Sequence, residues 1–506
     1  MKSDRATDHP PDGTLSRRQL LAGAGYVVGA SAWPRSATAE AGAAAVGRAG
    51  VAQTGAGERI TDAVARYMVA SRAQSLSPDV LREARHRVLD TLGAMVSGGR
   101  LKPGEAAIKF VRSQGGVAEA SVVTTNIKTT AINAALANGM FGHADETDDF
   151  EPVTKAHPGC AVVPAALAMG ERAGVSGRDL LHAVILGYDL CCRFLMALDP
   201  DHVRATHRSA EGTSATFGAA AAAAGVAGLN ETQMRYVLSY AAQQVSGLWS
   251  WVGDEDHIEK AFDFGGMGAR NGVAAAAMVQ SGFTGVSDIL DGQHNVLQAL
   301  STKPRPEAMV ADLGQRFYVT ETAIKTYSVG YPIQAPLDAF FRLREQYGLT
   351  VDNVERIVVR LPEDGARIVD NSAMPDVNCQ HLIALGLVRG AVTFLNSHER
   401  ELMTDPRIRA VRDRVQLVAD RSLMVPDAPR SGHVEVTLRD GRSVSHFTKY
   451  APGTKENPID ADSLNAKVRD LMEPVLGAAK TAAVIRQVHA LDTLPDVRAL
   501  VANLVA

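Results

Sequence analysis

The feature that most constrains the fold is a series of helix-length segments, from Ile60 to about Leu300, separated by Gly, Pro and Asp residues. Apolar residues recur in these segments at helical spacing, and Ser77-Pro78-Asp79 supplies a cap and a first-turn proline. Asp179 to Leu198 predicts one long, largely apolar helix, which we expect to be buried on most sides. Ala and Gly are abundant and aromatic residues make up only 5%. We therefore expect an all-helical body whose helices pack closely through small side chains.

The pattern changes near Leu313. Val354–Leu361 and Val434–Leu438 alternate apolar and polar residues with the period of a strand, and Asp440-Gly441 predicts a tight hairpin to Ser443–Thr448. Helical patterns return from Asp462 to the end. The predicted fold class is mainly α with a second, smaller α+β domain. The predicted boundaries are a helical domain at 58–318, an α+β lid domain at 319–455 and C-terminal helices at 456–506 that return to the helical domain.

The first 39 residues have the pattern of an export signal. Ser16-Arg17-Arg18-Gln19-Leu20-Leu21 precedes a moderately apolar stretch that ends near Trp33, and Ala37-Thr38-Ala39 offers a cleavage site. Paired arginines in this setting are typical of twin-arginine translocation. We expect residues 1–39 to be this signal, residues 40–57 to be a flexible linker, and the mature chain to work in the periplasm or outside the cell. The alternative is a disordered tail with a chance Arg-Arg pair.

Several function classes are disfavoured by the composition and by missing motifs. A net charge of −4 without a Lys/Arg stripe argues against nucleic-acid binding, and the mature chain lacks the ~20 consecutive apolar residues of a membrane span. There is no Gly-Lys pair for a P-loop and no G-x-S-x-G elbow. The four Cys residues fit no zinc-binding spacing. We therefore expect a large soluble enzyme that uses side-chain chemistry without a metal or organic cofactor.

The densest polar segment lies between His143 and Asp149. It carries four carboxylates in five positions, and His157-Pro158 follows it. Carboxylates crowded in this way repel one another, which can raise a pKa enough to give a general acid or base near neutral pH. The alternative is a solvated acidic loop that caps a helix starting near Pro164.

Two further groups carry charges suited to an anionic substrate. His202, Arg204 and His207 lead into Glu211-Gly212-Thr213-Ser214 and an Ala-rich helix, whose N-terminus is a natural seat for a carboxylate. A plain helix cap with surface charges explains this pattern equally well. Lys260 precedes a Gly-rich turn, and the apolar neighbours of Lys325 predict that it is partly buried.

Taken together, these segments resemble the MmgE/PrpD family, which includes 2-methylcitrate dehydratase, cis-aconitate decarboxylase and iminodisuccinate epimerase. The resemblance covers about residues 58–475. The matching segments are Leu89-Asp90-Thr91-Leu92-Gly93, His143 to Asp149 with His157-Pro158, Gly174 to Tyr188, Phe217-Gly218-Ala219-Ala220, Gly282-Phe283-Thr284-Gly285, Ile324-Lys325 with Asp338-Ala339, and Gly453 to Pro458 followed by Lys467.

The resemblance implies a helical body with a lid-like α+β domain, a homodimer, and an active site between the two domains that needs no metal or organic cofactor. His157, His207, Lys260 and Lys325 fall at positions similar to the family's active-site His and Lys residues. The chain also departs from the family pattern. Glu146 stands in place of Asp, Phe150 in place of Thr and Gly159 in place of Ser, while Gln334 and His381 replace residues that we expect on the pocket wall.

These observations predict a cofactor-independent lyase, a dehydratase or decarboxylase, that acts on a small di- or tricarboxylic acid. His157 or His207 would abstract the proton alpha to a carboxylate, and Glu146 or Asp148 would orient that histidine. Lys260 and Lys325 would hold substrate carboxylates and stabilise the enediolate. The predicted substrate-binding residues are Arg204, His143, Gln334 and His381. Two alternatives remain, an epimerase of the same substrate class and a catalytically silent exported carboxylate-binding protein.

Overall fold

The computed structural model describes residues 58–505, so the predicted export signal and the linker at 40–57 lie outside the described residues. The first part of the described chain is helical. Its α-helices are Ile60–Ala70, Pro78–Gly98, Lys102–Gln114, Ala131–Gly142, Gly159–Ala173, Gly177–Leu198, Pro200–Ala205, Ala210–Ala227, Glu231–Ala242, Ile258–Ala261, Met267–Gln280 and Val296–Leu300. A two-stranded ribbon, Ala120–Ser121 with Lys128–Thr129, lies between the third and fourth of them.

The predicted local signals explain several of these helices. The Ser77 side chain accepts a hydrogen bond from the Val80 amide at 3.3 Å, so it is the N-cap that the sequence predicts. Gly177–Leu198 is long and apolar enough to cross a membrane, and 94% of its most apolar window is buried inside the protein. It packs closely against the Ala-rich helix Ala210–Ala227, where alanine and glycine let the two helix axes approach. This pair forms the centre of the helical body.

One start position differs from expectation. The helix predicted to start near Pro164 begins at Gly159, and Pro164 lies inside it. Pro158 at the N-cap begins the helix one turn earlier than Pro164 would. A proline inside a helix costs a backbone hydrogen bond, and burial of the surrounding residues Cys160 to Glu171 offsets that cost.

The smaller domain is built on a four-stranded mixed sheet. Its strands lie in the order Val415–Asp420, Val354–Pro362, Gly432–Leu438 and Ser443–Thr448; the first two are parallel and the other neighbours are antiparallel. The predicted hairpin turns at Asp440-Gly441, where Gly441 has a φ of 87°. The α-helices of this domain are Gln334–Tyr347, Glu363–Val369, Cys379–Arg389, Phe394–His398 and Pro406–Arg412.

Two C-terminal helices return to the helical body. They are Ala461–His489, which is kinked at Gly477, and Arg498–Val501. Leu464 and Val468 belong to the same apolar core as the body, whereas the lid has a core of its own. Lys467 reaches from the C-terminal helix into the body and donates to Asp90 Oδ1 at 2.6 Å. The predicted fold class, a helical body with a smaller α+β domain, is confirmed. All four Cys residues are buried and unpaired.

Candidate active site

The acidic segment 143–149 is buried and is not a solvated loop. It follows helix Ala131–Gly142 directly, and each of its four acidic residues is at most 4% exposed. Buried charges require partners of opposite charge. Two lysines and several histidines surround the segment, which makes it the centre of a dense ionic cluster.

Asp148 is the hub of this cluster. Its Oδ1 lies 2.9 Å from Nδ1 of His143 and accepts a hydrogen bond from Lys325 Nζ at 3.2 Å, while its Oδ2 lies 3.0 Å from Nδ1 of His157. Burial opposes ionisation of Asp148, but His143, Lys325 and His157 together hold its pKa well below the usual value. Asp148 is therefore a fixed negative charge that orients two imidazole rings.

Glu146 forms the second ion-pair centre. It accepts a short hydrogen bond from Lys260, and its Oε2 lies 3.6 Å from Lys325 Nζ. Burial opposes its ionisation too, but Lys260, His143 and Lys325 hold the pKa of Glu146 well below its usual value. Its φ of 56° lies in the left-handed region, which is strained for a glutamate and is found most often at functional sites. This backbone turn points the carboxylate toward both lysines.

Lys260 reaches Glu146 from an irregular stretch of helix. It lies on the short helix Ile258–Ala261, and a single π-helical turn, Phe262–Gly266, joins this helix to Met267–Gln280. Such π turns carry one extra residue per turn and are frequent at functional sites. The Lys260 ammonium lies 5.0 Å from the ring centre of Trp251 and 5.3 Å from that of Phe264, so two aromatic faces stabilise its charge.

Lys325 is positioned by backbone pairing between distant segments. Phe150 and Ala323 exchange two backbone hydrogen bonds, and the Ile324 amide donates to the Gly453 carbonyl at 2.9 Å. Gly453 is the first residue of the segment Gly453 to Pro458, which is the last signature of the family resemblance. It has a φ of 93°, and a Cβ atom there would lie 1.9 Å from the Ile324 carbonyl oxygen. Only glycine fits this contact, so the signature serves to place Lys325.

The pKa values of the two histidines beside Asp148 are shifted in opposite directions. Burial lowers the pKa of His157, and the opposing effect of Asp148 does not outweigh it. Burial acts on His143 as well, but Asp148 and Glu146 raise its pKa above the usual value. His157 is thus a neutral imidazole whose Nδ1 donates to Asp148, and its Nε2 makes no hydrogen bond within residues 58–505. A neutral imidazole with one free nitrogen is the arrangement that a general base requires.

Aromatic rings enclose His157. The ring centre of Phe150 lies 5.1 Å from that of His157, and Phe264 lies 5.0 Å away on another side. Phe150 packs in turn against Tyr331, with ring centres 4.1 Å apart. These rings exclude water from the base and lower the local dielectric constant, which strengthens every charge interaction in the cluster.

The lid contributes two polar side chains to the rim of the cluster. His398 Nε2 lies 3.0 Å from the Asp145 carbonyl oxygen and 3.8 Å from Asp376 Oδ2. Asp376 is 4% exposed, and its Oδ2 has no hydrogen-bond partner in the described part of the chain. Burial raises the pKa of Asp376 above its usual value, the nearby His398 opposes this shift, and the charge of Glu146 adds to it.

The structure places His207 and Arg204 outside the ionic cluster. His207 is exposed, and its backbone carbonyl accepts a hydrogen bond from the Trp249 amide at 3.0 Å. Arg204 bonds Glu211 at 3.3 Å and lies over the ring of Trp249. The helix N-terminus beside them was predicted to bind a carboxylate. It is instead capped within the chain, because the Ser209 side chain accepts from the Gly212 amide and also bonds Asp263.

Gln334 and His381 lie on the lid. The amide of Gln334 is engaged by backbone groups, since it accepts from the Tyr327 amide and donates to the carbonyls of Tyr327 and Val329. His381 is fully buried, burial lowers its pKa to about 4, and neither ring nitrogen has a partner within residues 58–505. Substrate contact by these two residues stays a prediction.

Two groups of buried side chains have the geometry of a metal site: His143 with Asp148 and Cys160, and His143 with Glu146 and His257. In the second group, Glu146 Oε1 lies 3.5 Å from Nε2 of His143 and 3.5 Å from Nε2 of His257, and the three atoms lie within 4.8 Å of one another. The Lys260 ammonium already binds this carboxylate oxygen. A divalent ion there would have to displace a cation, so the donor set suits the ammonium group better.

The sequence predicted six residues of the ionic cluster and missed others. The six are His143, Glu146, Asp148, His157, Lys260 and Lys325. His257, Asp376, His398 and the π turn carry no pattern of their own. A φ of 61° at His257 is visible only in three dimensions. The one available signal was the run of four acidic residues from Asp254 to Glu259 around His257, which resembles any exposed loop.

Sequence profiles settle the relationship. The profile of the MmgE/PrpD N-terminal domain matches residues 62–309, and that of the MmgE/PrpD C-terminal domain matches residues 327–493. The chain belongs to the MmgE/PrpD family. The family resemblance predicted from the sequence is thereby confirmed.

Named relatives in the family are distant. The cis-aconitate decarboxylase-like protein oryM of Aspergillus oryzae is 23% identical over 472 residues, which cover 88% of this chain and 96% of that protein. The cis-aconitate decarboxylase of Aspergillus terreus is 22% identical over 484 residues, or 89% and 96% of the two chains. The mitochondrial 2-methylcitrate dehydratase of Yarrowia lipolytica is 29% identical over 142 residues, 24% of this chain and 27% of that protein.

Proposed function

We propose that this MmgE/PrpD protein is a lyase that acts on a small di- or tricarboxylic acid by removing a proton alpha to a carboxylate, without a cofactor. The relatives named decarboxylase and dehydratase support the lyase class. The observation that carries the proposal is the convergence of Asp148 and His157 with Lys260 and Lys325 in one buried cluster. This pairs an oriented base with two cations.

In this mechanism His157 is the base. Asp148 holds the ring in the tautomer that leaves Nε2 free, and stabilises the imidazolium that forms when Nε2 takes the proton. The departing proton leaves negative charge on the adjacent carboxylate, and Lys325 and Lys260 stabilise this enediolate. Exposed His207 lacks a carboxylate partner within residues 58–505, so we assign the base to His157 and not to His207.

Elimination also requires an acid. Asp376 on the lid is the best candidate, because it is buried, its pKa is raised above the usual value, and its Oδ2 has no hydrogen-bond partner within residues 58–505. It would protonate a departing hydroxyl or the carbanion that decarboxylation leaves. Because the acid comes from the lid and the base from the body, the two groups meet only when the domains are closed around the substrate.

Proton NMR in deuterium oxide tests this proposal. The chain from Glu40 onward is incubated with a panel of di- and tricarboxylates, and alpha-proton exchange, loss of water and loss of carbon dioxide are followed. We expect exchange or conversion of at least one compound, and a loss of at least about 100-fold in His157→Gln. The matched variant His207→Gln should retain most of the activity.

Two results would contradict the proposal. Full activity of His157→Gln would remove the assigned base. Thermal stabilisation by a panel member without exchange or conversion would instead identify a carboxylate-binding protein.

We also propose that residues 1–39 direct twin-arginine export to the periplasm and that the mature chain is a homodimer. The Arg17-Arg18 pair and its flanking segments support the first point, and family resemblance supports the second. Secretion of the chain fused to a reporter, with Arg17-Arg18→Lys-Lys as the control, tests export. Light scattering of the mature chain tests the dimer.

A further inference from the structure

Lys155 is a cation without an acidic partner, and it lies in the loop that leads to the proposed base. Its ammonium group donates a hydrogen bond to the Pro152 carbonyl at 2.7 Å and forms no ion pair with an acidic residue within residues 58–505. Lys155 is partly exposed, so small solutes can reach it. A largely desolvated charge requires a partner of opposite charge, and here the described chain supplies none.

The loop 150–157 holds Lys155 in place. The Glu151 amide donates to the Ala156 carbonyl at 2.9 Å, and the Lys155 amide donates to the Glu151 carbonyl at 2.8 Å. The Glu151 carboxylate is occupied within the loop, because it accepts from the amide and the hydroxyl of Thr154. Lys155 has a φ of 68°, in the left-handed region, and such strain in a residue other than glycine is found most often at functional sites.

Two arginines from other elements add positive charge around Lys155. Burial lowers the pKa of Lys155, and the charges of Arg430 on the lid and Arg204 in the body lower it further. Asp364 and Glu151 act in the opposite direction, and the pKa that results is about 7. A bound anion would favour the charged form of this lysine, so binding of an anion and protonation of Lys155 support each other.

The two arginines have donors that no side chain uses. Arg430 bonds Asp364 at 2.8 Å, and Arg204 bonds Glu211 at 3.3 Å. The Nε atom of each arginine is buried and has no hydrogen-bond partner in the described part of the chain. Lys155, Arg204 and Arg430 form a cationic cluster, which carries one more positive charge than the two carboxylates that pair with it.

The cationic cluster lies near the proposed base. The Lys155 ammonium lies 5.8 Å from the ring centre of Phe150, and the ring centre of His157 lies 5.1 Å from the same ring. In the proposed function, Lys260 and Lys325 bind the carboxylate next to the reacting carbon. A second carboxylate, farther along the same small molecule, can then reach Lys155.

We propose that Lys155, together with Arg204 and Arg430, forms a second anion subsite that binds the distal carboxylate of the substrate, the one farther from the reacting carbon. This inference rests on the proposed function and names the residues that select for a second acidic group. Lys155 is a specificity-determining residue in this scheme, because it contacts the distal carboxylate and takes no part in the proton transfer. The subsite draws on both domains, so binding of the distal carboxylate also joins the lid to the body.

Titration calorimetry with tricarballylate, succinate and butyrate tests the inference. Butyrate has a methyl group where succinate has its second carboxylate. The wild-type chain should bind tricarballylate and succinate at least tenfold tighter than butyrate, because a charge-assisted hydrogen bond to a carboxylate is a strong one. Lys155→Met should lose at least tenfold in affinity for tricarballylate and keep its affinity for butyrate.

Two further variants control for the charge and for the shape of the side chain. Lys155→Arg keeps the charge and should retain most of the affinity for tricarballylate. Lys449→Met removes the same charge from an exposed lysine of the lid that bonds Asp427 at 2.8 Å, and its affinity should equal that of the wild type.

A pH series on the wild-type chain needs no variant, so a misfolded Lys155→Met does not prevent the decision. Because the pKa of Lys155 is about 7, its charge is lost as the pH rises from 7 to 9. The affinity for tricarballylate should fall severalfold over this range, and the affinity for butyrate should change much less. In Lys155→Arg, whose guanidinium stays charged, the fall should disappear.

The outcomes separate this inference from the proposed function. Wild-type affinity of Lys155→Met for tricarballylate, or an equal loss for butyrate, would overturn the subsite and leave the proposed lyase standing. Binding of tricarballylate that depends on Lys155, together with silence of the NMR panel, would keep the subsite and overturn the lyase. Failure of the wild-type chain to bind any of the three probes would overturn the subsite.

Discussion

Replacing Asp148 by Asn tests the central geometry of the site. The carboxylate now accepts from His143 and Lys325 through one oxygen and from His157 through the other. An amide has only one oxygen. If that oxygen stays with Lys325, the amide NH₂ faces His157 Nδ1 and donates to it, which moves the ring proton to Nε2. The nitrogen that should accept the substrate proton is then blocked.

The size of the effect on kcat, KM and stability follows from the interactions that the substitution removes and those that it leaves in place. Loss of a correctly oriented base lowers kcat by about 10²- to 10⁴-fold, or about 3 to 5 kcal/mol in activation free energy. The substrate carboxylates still meet Lys260 and Lys325, so KM should change little. Lys325 keeps Glu146 at 3.6 Å, so we expect a stability loss of only about 1 to 3 kcal/mol.

The assay is alpha-proton exchange by NMR under saturating substrate, combined with urea unfolding. Asp189→Asn is the matched control, because Asp189 is equally buried but accepts from Tyr67 and the Tyr318 amide within the body. It should lose stability and keep kcat. A folded Asp148→Asn enzyme with kcat within tenfold of the wild type would refute the reasoning.

Three further predictions concern stability. Burial raises the pKa of Asp149 from 3.8 to about 7, so the folded state holds this proton more tightly than the unfolded state does. The free energy of unfolding should therefore fall by about 4 kcal/mol as the pH rises from about 4 to 7. In Asp149→Asn the urea midpoint should depend less on pH over this range. Gly159→Ala should destabilise by about 1 to 3 kcal/mol in the same assay, because its Cβ would lie 2.6 Å from Asp149 and 2.8 Å from the Tyr188 hydroxyl. Lys467→Met leaves Asp90 buried without its partner and should cost about 3 to 5 kcal/mol, measured by denaturation at pH 7.

Each of these has a contradicting result. An unchanged pH slope in Asp149→Asn would place the titration elsewhere, and Asp145, whose pKa burial raises to about 6, is the next carboxyl to replace. Gly159→Ala with wild-type stability would mean that the neighbouring side chains move aside freely. For Lys467→Met, a loss below about 1 kcal/mol would mean that water enters and solvates Asp90.

The sequence could predict the parts of this protein that have periodic or local signals. Helical spacing predicted the body, and Asp440-Gly441 predicted the hairpin, because these depend on neighbouring residues. The buried cluster joins residues as far apart as Asp148 and Lys325, 177 positions along the chain. Their proximity was expected only from family resemblance.

What the sequence could not predict depends on long-range packing. The acidic segment is buried because two lysines from distant helices and loops neutralise it, which no local pattern encodes. Asp376 lies in a short helical turn of the lid and His398 ends the helix Phe394–His398. Only domain packing brings His398 to Asp145 and Asp376 to His398. Arg204 and His207 carry suitable charges, but the helix beside them is capped by Ser209, which leaves them at the margin of the site.

The π turn Phe262–Gly266 has a consequence for how this site tolerates change in chain length. The following helix, Met267–Gln280, is anchored in the body, so removing one residue from the turn would convert it to an ordinary α turn. Residues before the turn would then rotate by about 100° about the helix axis. Lys260 would face away from Glu146 although every side chain of the site is still encoded. The number of residues in this turn therefore determines whether Lys260 reaches Glu146, so the site requires that number as well as the lysine.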